Sequence, residues 1–299
     1  MGDLYNPFKK YGIRRVINAA TSATNLGGSI PDPKVIMEMN EASKCYVNIV
    51  ELQEWAGKYI AEVTGAEAGL PVASAVCGLM LGSAACIMKG TELENYDPIK
   101  GAGDWGKIAM KLPIRSEGLR TEFIVQKANR NSYDYSVELA GGRFIETGSK
   151  EWELDSAYDP NRTAGYYYTA RNLKGSLPLE KVIKIAHENG APVLLDAAAE
   201  LPPKRKLKYY IAKGVDLVAY SGGKHIAGPN NSGILAGRRD LVKLAHLQSY
   251  PFNGVGRAAK MSRETIIGLV AAIKLYLEHD EKAAFDGWMK TAEWRCEML

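Results

Sequence analysis

The feature that most constrains the fold is a regular alternation of two patterns along the chain. Amphipathic helical segments take turns with short runs of apolar, β-branched residues. A short continuous apolar run bounded by turns is typical of a strand buried on both faces, as in a parallel sheet. The segments between the runs are long enough for crossover connections. The sequence therefore predicts an α/β fold with a mostly parallel sheet flanked by helices.

The pattern also locates the individual elements. Helices are predicted at residues 32–45, 50–64, from 74 onward, 179–189 and 204–212. Strands are predicted at residues 65–72, 122–126, 165–169, 192–195, 217–220 and 233–236. From residue 262 on, apolar residues recur at near-helical spacing with no Gly-Pro stop, which predicts that the chain ends on one long helix.

Composition excludes several classes of protein. With 299 residues, 46% of them hydrophobic, the chain can bury a substantial core. Its net charge of +4 is spread without a basic block, so we expect no nucleic-acid partner. The four cysteines lack ligand or disulfide spacing, so no metal site is predicted, and the absence of an apolar leader favours a cytoplasmic protein. The apolar stretch at 70–88 contains serines and glycines and is expected to be a core helix, with no membrane span.

Two predicted strands each end on a charged or reactive residue. One runs through Val193-Leu194-Leu195 into Asp196, and the other is followed by Ser-Gly-Gly-Lys at residues 221–224. Open α/β sheets build their ligand sites at the carboxyl ends of parallel strands. We therefore expect Asp196 and Lys224 to open into one crevice.

An amine and a carboxylate in one crevice suit pyridoxal 5'-phosphate (PLP). This cofactor needs a lysine amine for an imine, here Lys224, and an acid beside its ring nitrogen, here Asp196, so that the ring can accept electrons. Gly222 and Gly223 are expected to let the backbone approach the ring. The residues alone thus point to PLP as the cofactor.

A phosphate site is predicted at the start of the helix after residue 72. The first N–H groups of a helix have no partner within it, and the positive end of the helix dipole attracts anions. Ser74, Ala75 and Val76 occupy that position, and the Ser221 hydroxyl is a further donor.

Simpler readings of the same residues stay open. Asp196 can be a surface or helix-capping acid, and Lys224 a solvated loop lysine. Ser74 can be a helix cap without a ligand. His225 can be an acid–base group, but a structural histidine beside Lys224 is an equal alternative.

Several motifs together resemble the selenocysteine synthase-like family, a branch of the fold-type I PLP enzymes with the aspartate aminotransferase fold. The matching motifs lie at residues 14–21, 25–28, 64–68, 221–224, 228–229 and 232–235. The resemblance covers nearly the whole chain, and the Ser-Gly-Gly-Lys motif is its most specific part. Residues 126–135 and 138–142 look more like the D-glucosaminate-6-phosphate ammonia-lyase subgroup than like the selenium transferases.

The resemblance implies a role for each cofactor residue. Lys224 would be the imine lysine and Asp196 the partner of the ring nitrogen. Ser221 and the turn Ser74 to Val76 would hold the phosphate.

It also implies three substrate residues. Arg257 matches a position that in such enzymes reaches a phosphate or an acidic substrate, across a dimer interface in some cases, although a surface arginine is the open alternative. Asn131 and Tyr133 would line the substrate side of the pocket.

Two departures from the family pattern affect the expected domains. The family motif begins near Arg14, without the preceding domain with which bacterial selenocysteine synthases grip transfer RNA. The chain stops at Leu299, so we expect the small C-terminal domain to be largely missing. The predicted division is an N-terminal arm with the first helices (1–50), a large PLP-binding α/β domain (51–260), and an interdomain helix with the start of a truncated C-terminal domain (261–299).

The resulting expectation is a PLP-dependent lyase. It would eliminate water and ammonia from a small sugar amino acid such as D-glucosaminate 6-phosphate, leaving a 2-keto acid. Alternatives are another PLP reaction (transamination, aldol cleavage or selenium transfer), a non-catalytic PLP-binding or assembly protein, or a protein that binds no PLP. We expect a small amino-acid or sugar amino-acid substrate and a homodimer or larger even-numbered homo-oligomer.

Overall fold

A computed structural model describes residues 5–95, 106, 110–171 and 174–298. Its α-helices are α1 (Pro33–Ser43), α2 (Ile49–Thr64), α3 (Ala75–Met88), α4 (Tyr135–Leu139), α5 (Glu151–Ser156), α6 (Leu179–Glu188), α7 (Lys206–Ala212), α8 (Arg239–Gln248), α9 (Arg263–Glu278) and α10 (Glu281–Glu297). Its strands are β1 (Ala68–Val72), β2 (Glu122–Gln126), β3 (Arg143–Thr147), β4 (Thr163–Thr169), β5 (Val193–Asp196), β6 (Leu217–Ser221) and β7 (Gly233–Gly237). Short 3₁₀ turns occur at Lys9–Tyr11, Thr24–Leu26, Glu92–Asn95 and Lys127–Asn129.

The strands form one sheet in the order β1-β7-β6-β5-β4-β2-β3. The pairs from β6 through to β3 are parallel. Only β7 among these strands runs the other way, antiparallel to both β1 and β6. The prediction of an α/β fold with a mostly parallel sheet is confirmed.

Alternate side chains of the strands enter two hydrophobic layers. Tyr166, Tyr168 and Leu195 face the layer that includes α6 and α9. Tyr167 and Leu194 face the layer under α3 and α8. Because successive strand residues point to opposite faces, a run with no polar interruption is needed to fill both layers.

The small residues of α3 let this helix lie close to the sheet. All but one of its residues are buried, and a Cβ on Gly82 would come within 2.8 Å of the Leu194 side chain. The apolar stretch at 70–88 is therefore the end of β1 followed by a core helix, as predicted. Within the described ranges, no helix combines the length and the apolar character needed to cross a membrane.

The direction of β7 places one loop at the site. Parallel strands send the chain back through a helix, but β6 and β7 are antiparallel, so the chain between them turns round at the carboxyl edge of the sheet. Residues 222–232 form this connection, which we call the lysine loop because it carries Lys224.

The single C-terminal helix expected from the sequence is wrong, because the structure has two. His279 adopts an extended backbone, and the Asp280 side chain accepts hydrogen bonds from the N–H groups of Lys282 (2.9 Å) and Ala283 (3.1 Å), which starts a new helix. An aspartate that caps a helix competes with continuation of the preceding one. Helix α9 buries one face, whereas α10 has no buried residue. The domain boundaries at residues 50 and 260 stay predictions.

Candidate active site

One row of paired residues defines the carboxyl edge where the site lies. Thr169 on β4 is in register with Asp196 on β5, and Asp196 with Ala219 on β6. The Asp196 side chain is 7% exposed, and its Oδ1 accepts a hydrogen bond from the Ala198 N–H at 2.9 Å. Asp196 is thus a buried carboxylate at a strand end, not a surface acid.

The lysine loop begins three residues after Ala219, the last residue of this row. The Ala227 N–H donates to the Lys224 carbonyl at 2.9 Å, and the Gly228 N–H donates to the Gly222 carbonyl at 2.9 Å. These bonds close a tight turn in which Ala227 takes a left-handed conformation (φ +56°). Lys224 is therefore held in an ordered turn and is partly buried.

A residue of the N-terminal segment, Ser29, also forms hydrogen bonds to this turn. The Ser29 hydroxyl donates to the Lys224 carbonyl, and the Ser29 N–H donates to the Gly223 carbonyl at 3.0 Å. Sequence reasoning missed Ser29, because nothing local in the chain indicates a contact with a loop so far away in sequence.

The two glycines of the loop have a packing role that the sequence did not indicate. A Cβ on Gly222 would lie 2.3 Å from Ser232 Oγ, and one on Gly223 would lie 2.6 Å from the Asn230 Cα. Both positions are filled by the returning limb of the same loop. These contacts let the loop close on itself, and the expectation that the two glycines also let the backbone approach a cofactor ring stays a prediction.

The charges of Asp196 and Lys224 act on each other. Burial raises the pKa of Asp196, and the nearby Lys224 ammonium opposes this rise. Burial lowers the pKa of Lys224, with Asp196 opposing and the positive charge of Arg171 adding to the effect. A lysine amine with a lowered pKa is more often neutral and therefore more nucleophilic.

The predicted phosphate residues also come together. Val72, Gly233 and Ser221 are aligned across three neighbouring strands. A Cβ on Gly233 would lie 2.7 Å from the Ser74 carbonyl carbon and 2.9 Å from the Ala75 nitrogen. Only a glycine here lets β7 pass so close to the start of α3, which brings that helix terminus towards Ser221.

The start of α3 has the donors that an anion requires. Ser74 is the N-cap, and its Oγ accepts from the Cys77 N–H at 3.0 Å. The N–H groups of Ala75 and Val76 lie in the first turn, where no acceptor exists within the helix. The capping role of Ser74 is real, and it leaves the hydroxyl proton free to donate to a ligand.

The substrate residues proposed from sequence are placed differently. Asn131 lies beside the site, because its Nδ2 donates to Thr169 Oγ1 at 2.7 Å. Tyr133 is 55% exposed on the same segment. Asn129, which sequence reasoning missed, holds the strand end by bonding both the Thr169 carbonyl (3.0 Å) and the Thr169 N–H (2.6 Å).

Arg257 and His225 contact aromatic side chains, and their predicted roles stay predictions. The Arg257 guanidinium is exposed and lies 5.1 Å from the centre of the Tyr250 ring. None of its contacts within the described part of the chain is with Asp196 or Lys224. The His225 ring meets the Trp288 ring edge-on at 6.0 Å and lines a cavity of about 720 Å³ beside α9 and α10, whose lining does not include Lys224.

Arg171 is the further site residue that sequence reasoning missed. It lies two residues after the end of β4, and Lys224 lies three residues after the end of β6, so both follow strands at the carboxyl edge of the sheet. Arg171 does not directly follow the apolar run, as Asp196 does, so only a search extended two residues past the strand end would have found it.

Comparison with known proteins identifies similar chains. The family model described as L-seryl-tRNA selenium transferase matches residues 168–285. A 5'-C-glycyluridine monooxygenase-decarboxylase from Streptomyces sp is 31% identical over 292 residues, which cover 93% of this chain and 67% of the relative. A D-glucosaminate-6-phosphate ammonia lyase from Salmonella typhimurium is 30% identical over 281 residues, covering 91% and 70%.

A solved structure agrees with the sequence comparison. The structure of D-glucosaminate-6-phosphate ammonia-lyase superposes with a TM-score of 0.81 at 29% identity, covering 93% of this chain and 72% of that one. The chain therefore spans about two thirds of the length of the relatives that it matches.

Proposed function

The chain belongs to the L-seryl-tRNA selenium transferase-related family of PLP enzymes, and on that premise we propose that it is a PLP-dependent lyase acting on a small sugar amino acid. The predicted family resemblance and the predicted cofactor are thereby confirmed. The observation that carries the proposal is the placement of Lys224 and Asp196 at the ends of neighbouring strands, close enough for their charges to interact.

The donor set of the site fits PLP. Lys224 offers an amine of lowered pKa for the aldehyde, and Asp196 offers a buried carboxylate for the ring nitrogen. Ser221, Ser74 and the N–H groups of Ala75 and Val76 converge across Gly233, where they would hold the phosphate. When bound, PLP supplies an electron sink for the substrate's α-carbon.

Each protein group then has one task. The Lys224 amine, released when the substrate amine takes its place, removes the proton from the α-carbon. The Asp196 carboxylate keeps a proton on the ring nitrogen, because an opposite charge nearby favours the charged form. The Lys224 ammonium can return its proton to the departing β-hydroxyl, which leaves as water.

The net reaction is loss of ammonia. Hydrolysis of the dehydrated product consumes the water that was lost and releases ammonia and a 2-keto acid. D-Glucosaminate 6-phosphate is the reference substrate, because the relative named for it is 30% identical over most of the chain and the structure named for the same enzyme has the same fold.

A second candidate is an oxidative decarboxylation. It is favoured by one observation, that the 5'-C-glycyluridine monooxygenase-decarboxylase is as similar to this chain as the ammonia lyase is. Both candidates begin with the same binding of an amino acid to PLP, and they differ in the bond that breaks at the α-carbon.

One experiment separates the candidates. The PLP-loaded protein is incubated with D-glucosaminate 6-phosphate, and ammonia, keto acid, carbon dioxide and oxygen uptake are measured. Equal amounts of ammonia and keto acid without oxygen uptake support the lyase, whereas carbon dioxide with oxygen uptake supports the second candidate. A normal PLP absorbance without turnover of any amino acid tested would favour a non-catalytic PLP-binding protein.

We propose further that the protein is a homodimer or a larger even-numbered oligomer. Apolar side chains of the N-terminal segment are strongly exposed, including Tyr5 (81%), Ile17 (80%) and Ile30 (94%). Exposed apolar patches of this kind usually mark an interface. Sedimentation equilibrium of the wild type and of Ile17→Asp tests this, with a shift of the variant towards monomer expected.

A further inference from the structure

Arg171 lies at the carboxyl edge of the sheet beside Asp196. The Ala170 N–H donates to the Asp196 carbonyl at 2.9 Å, so β4 and β5 are still paired one residue before Arg171. Thr169 is clamped by Asn129 through two hydrogen bonds and by Asn131 through a third. The backbone that delivers Arg171 is therefore firmly positioned.

Among the described residues, the Arg171 side chain is an exposed cation without an acidic partner. Most other arginines of the sheet edges are paired, such as Arg143 and Arg162 with Glu122. Within the described part of the chain, Arg171 makes no ion pair, yet its charge reaches the Lys224 amine. A lone guanidinium beside a second cation is electrostatically unfavourable until an anion joins them.

The chemistry of the site identifies that anion. With PLP bound, the amine of an amino-acid substrate would take the place of the Lys224 amine, and the substrate carboxylate, one bond from the α-carbon, would then lie near Lys224. A guanidinium binds a carboxylate through two parallel hydrogen bonds. We propose that Arg171 binds the α-carboxylate of the substrate, an inference that rests on the proposed function and assigns it a specificity residue.

Two matched ligands test this assignment. D-Glucosaminate carries the carboxylate, and D-glucosaminitol is the same amine with a CH₂OH group in its place. Each is titrated into the PLP-loaded wild type, Arg171→Gln and Arg171→Lys, and the dissociation constant is read from the change in PLP absorbance. D-Glucosaminate 6-phosphate is titrated in parallel, so that loss of phosphate recognition can be separated from loss of carboxylate recognition.

Arg171→Gln is expected to weaken binding of D-glucosaminate by about 10- to 100-fold, because a charge-assisted pair is lost. Binding of D-glucosaminitol, which has no carboxylate, should not change. Arg171→Lys keeps the charge but lacks the two parallel N–H donors of a guanidinium. Its dissociation constant for D-glucosaminate should lie between those of the wild type and Arg171→Gln. The thermal unfolding midpoint should not change, and neither should the affinity for PLP at a pH where the Lys224 amine is neutral in both proteins.

Arg239 supplies the control. It is exposed and lies at the opposite edge of the sheet, two residues after the end of β7, so Arg239→Gln should leave both dissociation constants unchanged. Equal weakening of both ligands by Arg171→Gln, or no weakening, would overturn the assignment. If only the phosphorylated ligand is weakened, Arg171 binds the phosphate and the assignment is likewise wrong.

The response of the wild-type PLP absorbance to the ligands tests the proposed function separately. If neither amine changes the PLP absorbance of the wild type, the sugar amino acid substrate is wrong, and the role of Arg171 falls with it. If the wild type responds and the variant does not differ from it, only the inference about Arg171 fails.

Discussion

The carboxylate of Asp196 and the amine of Lys224 lie close enough for each to shift the pKa of the other. The two groups come from the ends of adjacent parallel strands, with the Ala197 N–H donating to the Ala219 carbonyl at 3.0 Å between them. This arrangement places a nucleophile and an acid at one edge of the sheet, which is the minimum that the proposed chemistry requires.

The first prediction distinguishes the role of Asp196 from that of Lys224. Asp196→Asn should keep the absorbance of lysine-bound PLP but slow exchange of the substrate α-proton by about 10²- to 10³-fold, because a preorganised charge at the ring nitrogen is lost. Exchange is measured by proton NMR in D₂O. Lys224→Ala should abolish both the absorbance band and its reduction by borohydride, and wild-type exchange in Asp196→Asn would disprove the role given to that residue.

The second prediction concerns pH. The pKa of the Lys224 amine lies below its usual 10.5, so the rate at which cofactor-free protein bonds PLP should rise with pH with a midpoint below that value. Arg171→Gln removes a positive charge and should move the midpoint to higher pH. Asp196→Asn removes a negative charge and should move it to lower pH.

The measurement is the growth of PLP absorbance after mixing, followed across a pH series. Arg239→Gln should reproduce the wild-type midpoint. Shifts of both site variants in the same direction would contradict the assigned geometry.

The third prediction tests the proposed phosphate site at Ser221 and the start of α3, which we call the phosphate cradle. Gly233→Ala places a methyl group 2.7 Å from the Ser74 carbonyl carbon, so either β7 or the start of α3 must move. We expect the affinity for PLP to fall at least about 10-fold and the free energy of unfolding to fall by about 1–3 kcal/mol. The dissociation constant is obtained by titrating PLP into the cofactor-free protein.

Gly287→Ala is the matched control. Nothing lies within 4 Å of a Cβ at Gly287 on α10, and alanine is the better helix former by about 1 kcal/mol. This variant should bind PLP normally and be at least as stable as the wild type. Normal PLP binding by Gly233→Ala would show that the cradle lies elsewhere.

The fourth prediction concerns stability in acid. Burial lowers the pKa of His246 to about 4, and its Nε2–H donates to Gln53 Oε1 at 3.0 Å. The unfolded chain takes up this proton near pH 6.5, before the folded chain does, so stability is lost as the pH falls from 6.5 towards 4. Between pH 7 and 4.5 this residue should account for about 2 kcal/mol of the loss.

Urea unfolding of the wild type and of His246→Gln at both pH values checks this figure. The variant is expected to be less stable at pH 7, because the ring contact with Phe252 is lost, but to show a smaller drop on acidification. An unchanged drop would mean that other groups carry the acid sensitivity.

Most of the fold and the cofactor residues could be predicted from the sequence, because their signals are local. Buried strands such as β2 and β5 need an unbroken apolar run, and the charged or polar residue that ends the run marks the carboxyl edge. Edge strand β3 escaped prediction because its side chains are half-exposed and carry no such run. The break at Asp280 escaped it because the apolar spacing continues across a capping aspartate.

The sequence by itself determined which residues lie at the ends of strands and helices. Asp196, Lys224 and the turn at Ser74 could all be predicted from it. Which of these ends meet was decided only by the tertiary structure. The antiparallel direction of β7, the close passage of Gly233 and the clamp on Thr169 depend on contacts between distant segments, and contacts of that kind leave no periodicity in the chain. For the same reason the sequence could not show that Arg257, selected by resemblance, contacts Tyr250, or that the charge of Arg171, which no motif marked, acts on Lys224.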